Sequence, residues 1–339
     1  MSNVVIMVWM QHLDAGLGDL MRGTVYLHHL SKRMNFKLIV DTQLHPTSHV
    51  LVSCTHEYSN YVIENRSKII HAINLGENNP LIVNSIQNHL KQVNNHNPIM
   101  ITTNHNHNVP ALLSAECKQF MRSILLPNDA FKTYFNDMRN AFKIPEQYSI
   151  IHIRVGDHDL VTRSSIIANY RILHGIVHRE LKTTPNLFII TDSLRFKYYL
   201  KRALDPVLKD RIIKTTPIHL SYANKHTDIE RIKETLFDFM LLTNATVIKT
   251  HSAYGWVSGF VHWVSHIFNV PLVNLKSAAN QHMFIPMQSI QSIQSMQSMQ
   301  SMQSMQSTQP TQPRQPKIQM MRLMHMPMRA SLRLMKLQY

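Results

Sequence analysis

Residues 148–157 read Tyr-Ser-Ile-Ile-His-Ile-Arg-Val-Gly-Asp and decide the fold class. The apolar run predicts a buried strand, and Arg154 stands at its carboxyl end, where open α/β sheets bind ligands. An arginine there keeps its charge and offers a planar set of donors that suits phosphate oxygens, while Gly156 permits a sharp turn. The same pattern also fits a strand end at which Arg154 and Asp157 pair with neighbours, so these residues alone leave both interpretations open.

Strands and helices alternate on both sides of this stretch. The predicted strands are 4–9, 36–40, 68–73, 99–102, 149–154, 187–191, 211–214, 246–250 and 271–275. The predicted helices fall near 20–34, 114–125, 128–142, 165–182, 194–204, 228–243 and 255–268. Such alternation predicts parallel sheets with helices on both faces, although residues 45–110 are rich in Asn and His and give little pattern.

Two alternating series, divided near residue 145, predict an α/β protein with two Rossmann-like domains facing a cleft. We assign residues 1–145 to the N-terminal domain and 146–286 to the C-terminal domain. Residues 287–339 form a low-complexity tail, in which Gln-Ser-Ile or Gln-Ser-Met repeats with a period of three before a Pro-rich end. That period matches neither a helix nor a strand, so we predict a disordered tail that the chemistry does not need.

The charge of the chain favours an anionic partner. The net charge of the 339 residues is +15, and the six Lys and Arg beyond Pro286 leave +9 on the remainder. A basic chain of this kind favours a polyanionic or phosphorylated partner, and a protein kept soluble by excess Lys is the simpler alternative.

The cysteine count and the apolar runs bear on compartment. Two cysteines, Cys54 and Cys117, exclude a disulfide framework and a Cys-based zinc site. No run reaches the roughly 18 to 20 apolar residues that span a bilayer, and residues 4–9 are too short for the core of a signal peptide. We therefore expect a cytoplasmic protein without a transmembrane segment.

Residues 16–23 read Gly-Leu-Gly-Asp-Leu-Met-Arg-Gly and follow the first predicted strand. A glycine-rich turn that feeds a helix can present backbone N–H groups to an anion or a sugar hydroxyl. The spacing differs from that of a dinucleotide-binding turn, and no Lys-Ser/Thr follows as in a nucleotide P-loop. A tight turn that requires glycine is the alternative.

Two further strand ends carry polar residues. Asp192 follows the strand at 187–191 and could accept hydrogen bonds from a base or ribose, or cap the next helix. Residues 249–256 read Lys-Thr-His-Ser-Ala-Tyr-Gly-Trp and precede an apolar helix, which is typical of a phosphate site, or of an N-cap at Ser252. Under a doubly wound topology these ends and the glycine turn converge on one cleft.

The four motifs, in this order, resemble the fucosyltransferase superfamily of the GT-B fold, which includes α1,2-, α1,6- and protein O-fucosyltransferases. The resemblance spans residues 4–275. The Gly-Leu-Gly-Asp turn is most similar to the nodulation-factor α1,6 enzymes, and the His-Ser-Ala-Tyr-Gly-Trp segment to the α1,2 enzymes. It implies an inverting, metal-independent glycosyltransferase that moves fucose from GDP-fucose to a glycan hydroxyl, with the nucleotide sugar in the C-terminal domain and the acceptor on the N-terminal side.

The resemblance also implies site residues. It gives Arg154 the diphosphate of the donor and makes Arg154 and Asp157 the catalytic candidates. The implied donor-binding residues are His152, Arg154, Asp192, Thr250, Ser252 and Tyr254. The implied residues of the N-terminal cleft are Gly16, Gly18, Asp19 and Arg22. No metal and no cofactor other than the nucleotide-sugar substrate is expected.

Departures from the family pattern leave the linkage class and the base open. Val155 stands where the α1,2 pattern has a second arginine, and Gly255 where it has a serine. The α1,6 enzymes carry a glutamate downstream of the arginine motif that can serve as the base, and residues 158–179 contain none.

Two patterns offer a metal-dependent alternative. The triplet at 157–159, Asp-His-Asp, could share one hard cation between its carboxylates, as in metal-dependent glycosyltransferases. His105 and His107 alternate along a short stretch, but without further spaced ligands the compositional bias of the chain explains them better.

Two other functions compete with fucosyl transfer. A GT-B transferase of another nucleotide sugar would use the same motifs. A basic nucleic-acid-binding protein on a degenerate transferase fold would need aromatic residues interleaved with Lys and Arg. Trp256, Phe260 and Trp263 instead have helical spacing and are expected in the core, so no nucleic-acid partner is predicted.

Overall fold

The strand predicted at 148–157 forms in the structure, a computed structural model, as β5, Ser149–Arg154. The structure describes residues 3–275 apart from 12–14, 53–55, 77–78, 93–96, 106–111, 156–166, 221–227 and 253–255. Several predictions therefore lie outside the described residues, namely those for Gly156, Asp157, the Asp-His-Asp triplet, His107, Tyr254, Gly255 and the tail at 287–339.

The first half of the chain builds a four-stranded parallel sheet in the order β2-β1-β4-β3. Its strands are β1 Val4–Val8, β2 Lys37–Asp41, β3 Ile70–Ala72 and β4 Ile99–Thr103. Its helices are α1 Leu17–Met34, α2 Ser59–Glu64, α3 Leu81–Leu90, α4 Ala115–Ile124 and α5 Asp129–Ala141.

The second half builds another four-stranded parallel sheet, in the order β6-β5-β7-β8. Besides β5, its strands are β6 Leu187–Thr191, β7 Val247–Ser252 and β8 Leu272–Asn274. Its helices are α6 Ile167–Thr183, α7 Leu194–Ala203, α8 Ile229–Thr243 and α9 Gly259–Phe268. The predicted α/β class with two Rossmann-like halves is confirmed, and the predicted domain boundary falls between α5 and β5; the division into two domains stays a prediction.

Alternate residues of the central strands serve different cores, because a parallel strand is buried on both faces. On β1, Val5 and Met7 join the largest hydrophobic cluster, and Ile6 joins a cluster on the opposite face. The largest cluster continues into α9 through Val261 and Ile267, so one core joins the two halves.

In each sheet the strand that comes first in the sequence is a central strand. The next strand pairs on one side of it, and a later strand pairs on the other side. The two switch points lie between β1 and β4 and between β5 and β7. A crevice forms at the carboxyl ends of the strands at such a point, and it is the usual ligand site of open α/β sheets.

The structure corrects three details of the sequence analysis. The predicted strand at 211–214 forms a 3₁₀ turn, Pro206–Arg211, followed by a single bridge between Ile212 and Ile189. Helix α1 begins at Leu17 rather than near residue 20, so Gly18 lies within it. Helices α2 and α3 occupy the stretch that gave little pattern. Among the described residues, no helix combines the length and the apolar character that crossing a membrane requires.

Candidate active site

Arg154 and Asp192 meet at the carboxyl edge of the second sheet. The Nη1 of Arg154 lies 3.3 Å from Oδ2 of Asp192. The backbone N–H of Val155 donates to Oδ1 of the same carboxylate at 2.8 Å. Asp192 thus ties the end of β5 to the end of β6, and it orients a guanidinium whose side chain is 20% exposed.

Ser252 faces Arg154 from the neighbouring strand. The two residues are direct partners in the parallel register of β5 and β7, so they flank the switch point of the second sheet. Helix α9 begins seven residues later along the chain, at Gly259. A cation and a hydroxyl therefore lie side by side at one strand edge, which is chemistry that suits an oxyanion.

His152 and Thr250 lie beneath this edge, two residues before Arg154 and Ser252 on their strands. His152 precedes Arg154 by two residues on the same face of β5, and both His152 and Thr250 are buried. The Nδ1 of His152 lies 3.5 Å from Oγ1 of Thr250, and its ring stacks on Phe260 of α9. Burial, and then the charge of Arg154, lower the pKa of His152 to about 3, so this imidazole is neutral and Arg154 supplies the positive charge. The donor-binding roles of His152 and Thr250 stay predictions.

The glycine turn before α1 is held together by its own side chains. The N–H of Gly16 donates to Oδ2 of Asp19 at 3.0 Å, which closes the first turn of the helix. The other oxygen of Asp19 binds Nη2 of Arg22 at 2.7 Å. The structure therefore joins Gly16, Asp19 and Arg22 in one set of local bonds, and their place in a binding cleft stays a prediction.

Two of the glycines also have a packing reason. A Cβ on Gly18 would lie 2.9 Å from the backbone carbon of Gly259, so glycine lets α1 and α9 touch. A Cβ on Gly23 would lie 1.8 Å from the carbonyl oxygen of Thr103, so glycine lets α1 lie on β4. Packing thus accounts for both residues, and the role of the turn in binding stays a prediction.

Sequence reasoning missed a segment that crosses from the second sheet to the first, residues 213–220, here called the crossing segment. It leaves β6 at the hydrogen bond from the N–H of Ile213 to the carbonyl of Ile189. At its other end the carbonyl of Leu220 accepts a hydrogen bond from Nε2 of Gln11, in the connection between β1 and α1. A Cβ on Gly16 would lie 3.0 Å from Nε2 of His219, so this imidazole rests against the glycine turn.

Buried polar side chains fix the crossing segment. The Nζ of Lys197 donates to the carbonyl of Thr215 at 2.7 Å, and Oγ1 of Thr215 donates to the carboxylate of Asp238 at 2.9 Å. All three residues are buried. Burial raises the pKa of Asp238 to about 6 and lowers the pKa of Lys197. A sequence signal did exist, because Asp238 interrupts the apolar run of residues 236–242.

At the carboxyl end of β2, in the first sheet, an aspartate faces a histidine. The Nε2 of His56 lies 3.1 Å from Oδ2 of Asp41, and the N–H of Tyr58 donates to Nδ1 of the same ring at 3.1 Å. A ring nitrogen that accepts an N–H carries no proton, so the imidazole of His56 is neutral. Burial, the largest cause in each case, raises the pKa of Asp41 and lowers that of His56, because it disfavours the charged form of both groups.

The metal alternatives gain no support among the described residues, where no group of three or more His, Cys, Asp or Glu is arranged to hold a metal ion. His105 packs edge-on against Tyr26. The expectation that no metal or cofactor is required stays a prediction. Of the three aromatic residues expected in the core, Trp263 is buried and Phe260 packs against the largest core, whereas Trp256 precedes α9 and is half-buried.

The sequence matches no protein-family profile and no curated protein. Among solved structures, the chain is similar to the fucosyltransferase NodZ from Bradyrhizobium, at 13% identity and a TM-score of 0.48, over 82% of this chain and 97% of that chain. It is also similar to Arabidopsis thaliana FUT1 in complex with GDP, at 12% identity and a TM-score of 0.48, over 81% of this chain and 70% of that chain.

A third similar structure is the ADP-heptose lipopolysaccharide heptosyltransferase II of E. coli, at 12% identity and a TM-score of 0.37, over 81% of this chain and 84% of that chain. All three TM-scores are below 0.5. Because these likenesses are weak, they do not indicate a function, and the proposed function rests on the side chains at the two sheet edges.

Proposed function

We propose that this chain is a glycosyltransferase that moves fucose from GDP-fucose to a glycan hydroxyl, with inversion and without a metal ion. One observation carries the proposal: Arg154, oriented by Asp192, lies opposite Ser252 at the switch point of a parallel sheet. An oriented arginine at that place suits the diphosphate of a nucleotide sugar, because its planar donors match two phosphate oxygens.

The chemistry follows from the charge that develops in the reaction. When the bond between the sugar and the phosphate breaks, negative charge grows on the leaving diphosphate. A guanidinium already held in place stabilises this charge without reorganising, as a divalent cation does in other transferases. The acceptor hydroxyl attacks the opposite face of the sugar carbon, and this single displacement inverts its configuration.

The choice of GDP-fucose rests on the resemblance of the four motifs to fucosyltransferases, whereas the site chemistry by itself suits any nucleoside diphosphate sugar. The acceptor is placed on the N-terminal side for the same reason.

The cytoplasmic location is also proposed, from the low cysteine count. Burial raises the pKa of Cys117 to about 11, so this thiol stays protonated and unreactive near neutral pH.

Isothermal titration of the full chain with GDP, GDP-fucose, a UDP-sugar and a CMP-sugar tests the donor. The proposal predicts that GDP and GDP-fucose bind more tightly than the other two, and that a chelator changes neither affinity nor transfer. Tighter binding of the UDP-sugar would overturn the assignment of the donor and favour a transferase of another sugar.

The variant Asp192→Ala locates the site within the same experiment. Because Asp192 orients Arg154, its loss should weaken GDP binding about tenfold while much of the rate at saturating donor remains. Asp19→Ala is the matched control, since it also removes an arginine-bound aspartate, but from the edge of the first sheet. Equal losses of GDP affinity in the two variants would contradict the proposed place of the nucleotide.

A further inference from the structure

Helices α6 and α7 lie side by side on one face of the second sheet. Leu173 of α6 and Phe196 of α7 belong to the hydrophobic cluster that includes Ile151 of β5. The rings of Tyr170 and Tyr199 lie 5.6 Å apart and join the two helices. Because both helices bury one side against the same sheet, their other sides form one surface. This surface, here called the outer face, carries the exposed residues Arg171, Ile172, Lys182, Arg195, Tyr198 and Arg202.

The charged residues of the outer face are all basic. The two helices contain one acidic residue, Glu180, in their whole length. Glu180 is buried, and its Oε2 accepts a hydrogen bond from Nζ of Lys249 on β7 at 2.7 Å, so it does not neutralise the outer face. Alternating charges are typical of a helix face that only meets solvent. A face that carries one sign of charge instead attracts anions.

Large apolar side chains lie exposed near these cations. Ile172 is 64% exposed and Tyr198 is 63% exposed, and Val207, in the 3₁₀ turn that follows α7, is 83% exposed. The Nζ of Lys201 lies 5.4 Å from the centre of the Tyr198 ring, so an ammonium group and an aromatic ring lie together. Single exposed apolar residues are ordinary. Their combination with a row of cations is typical of a helix that lies in a membrane interface.

Two kinds of anionic partner suit a basic surface of this size, a phospholipid layer and a single-stranded nucleic acid. A single strand stacks successive bases on aromatic rings. Tyr198 is the only exposed aromatic residue among the described side chains of α6 and α7. Aliphatic side chains such as Ile172 and Val207 add little to base stacking, but they gain free energy when they leave water for the acyl chains of a lipid layer. The exposed residues therefore favour a lipid surface.

We propose that the outer face docks the protein on a membrane surface that is rich in anionic phospholipids. Arg171, Lys182 and Arg202 contact the phosphate and carboxylate groups of the lipid heads, and Ile172 and Tyr198 enter the boundary between head groups and acyl chains. The contact is peripheral, because it uses side chains on the outside of two helices. It is independent of the function proposed above, since none of these residues belongs to the candidate active site.

Co-sedimentation of the full chain with vesicles tests the docking. One set of vesicles is phosphatidylcholine, and the other contains about one third phosphatidylserine. We expect wild type to bind the acidic vesicles at least about tenfold more tightly, and less tightly as the salt concentration rises. A basic residue near an anionic surface contributes about fivefold to affinity. The triple variant Arg171→Gln, Lys182→Gln and Arg202→Gln should therefore bind the acidic vesicles about 10²-fold more weakly. Ile172→Gln should bind them about fivefold more weakly.

Matched controls make the same changes elsewhere in the chain. Arg66→Gln, Lys68→Gln and Lys91→Gln together remove three exposed basic residues from the first half of the chain, and Ile63→Gln changes an exposed isoleucine on α2. Both controls should bind within about threefold of wild type. All variants keep residues 287–339, so a contribution of that basic segment is the same in all of them. A urea transition like that of wild type shows that a variant is folded.

Several results would overturn the inference. Wild type could bind both kinds of vesicle equally, or the triple variant could lose no more affinity than its control. Binding of Ile172→Gln that equals that of Ile63→Gln would contradict the apolar contact. Tighter binding of wild type to a single-stranded oligonucleotide than to the acidic vesicles would assign the outer face to nucleic acid instead. Should the triple variant be unfolded, Arg202→Gln alone takes its place, with an expected loss of about fivefold.

Discussion

The two sheets have the same topology and opposite chemistry at their carboxyl edges. Each has four parallel strands with the first strand in the middle, so each has a switch point. At the second sheet Arg154, Asp192 and Ser252 meet. At the first sheet, Asp41 faces the neutral imidazole of His56, and Gly23 lets helix α1 lie directly on β4.

This difference shows that the strand order creates a crevice in each sheet. The side chains at its edge then decide whether the crevice suits a ligand or is closed by packing. A glycine turn ahead of a helix resembles an anion site in sequence, yet in this chain close contacts with Gly259 and Thr103 account for Gly18 and Gly23. A strand that ends in arginine resembles an ordinary ion pair, yet the pair lies partly exposed at the place where α/β sheets bind ligands.

The largest expected effect concerns the close backbone contacts of the glycines in α1, at the edge of the first sheet. Gly23→Ala places a Cβ 1.8 Å from the carbonyl oxygen of Thr103, and backbone cannot move aside as a flexible side chain can. We expect the free energy of unfolding to fall by about 4 kcal/mol, above the usual cost of overpacking. Gly18→Ala, with 2.9 Å to the backbone of Gly259, should cost about 2 kcal/mol. Urea denaturation measures both.

Gly175→Ala is the matched control, because Gly175 lies in α6 and a Cβ there meets no atom within 4 Å. Replacing a helical glycine by alanine at an open position should stabilise the protein by up to about 1 kcal/mol. A similar loss of stability in all three variants would show that packing does not explain the glycines of α1.

The next effect concerns Lys197 and Asp238, the buried charged residues that bind Thr215 of the crossing segment. Lys197→Met leaves the carboxylate of Asp238 buried with its nearest cation removed, and should lower the free energy of unfolding by about 3 kcal/mol at pH 8. The double variant Lys197→Met with Asp238→Asn should recover most of this loss, since no anion then remains. Lys182→Met, at an exposed position on α6, should change stability by less than about 0.5 kcal/mol.

The contrast in function between the edges is tested by two like substitutions. Arg154→Lys keeps a positive charge and loses the planar pair of donors, so turnover should fall about 10²-fold, or about 2.7 kcal/mol, with the fold intact. Arg22→Lys makes the same change at the glycine turn and should alter turnover less than about fivefold. Full activity of a folded Arg154→Lys protein would remove the diphosphate role from Arg154.

The smallest effect is a pH dependence. The pKa of Asp238 is about 6 in the folded protein and near its ordinary value of 3.8 in the unfolded chain, so between these values the folded state binds more protons. Stability from this group is therefore present below pH 4 and is lost as the pH rises through about 6. The difference in unfolding free energy between wild type and Asp238→Asn should fall by about 2 kcal/mol from pH 4 to pH 7. A constant difference would contradict the buried, proton-holding carboxyl.

The strands and helices could largely be predicted because their patterns are local. The run at 149–154 and the apolar periodicity of α5 and α8 each stay within one element, and the structure places them within one residue of the prediction. The segment at 211–214 reads as a strand because Ile212 and Ile213 are apolar, yet the chain leaves the sheet where Thr215 binds Lys197 and Asp238.

The residues of the candidate site also differ in whether the sequence could predict their place. Arg154, Asp192 and Ser252 were predictable, because a parallel sheet brings successive strand ends to one edge. His219 was not, because its place depends on contacts across long sequence separations, such as Gln11 with Leu220. Nothing in the residues around His219 indicates that it reaches the turn before α1.

Hydrogen exchange of the backbone, with and without saturating GDP, tests the central claim most directly, namely that the nucleotide binds at the edge of the second sheet. We predict slower exchange at 151–155, at 249–252 and in the first turn of α9, and unchanged exchange at 17–24 of α1 and at 39–45. Protection confined to the start of α1, with β5 and β7 unaffected, would contradict the account.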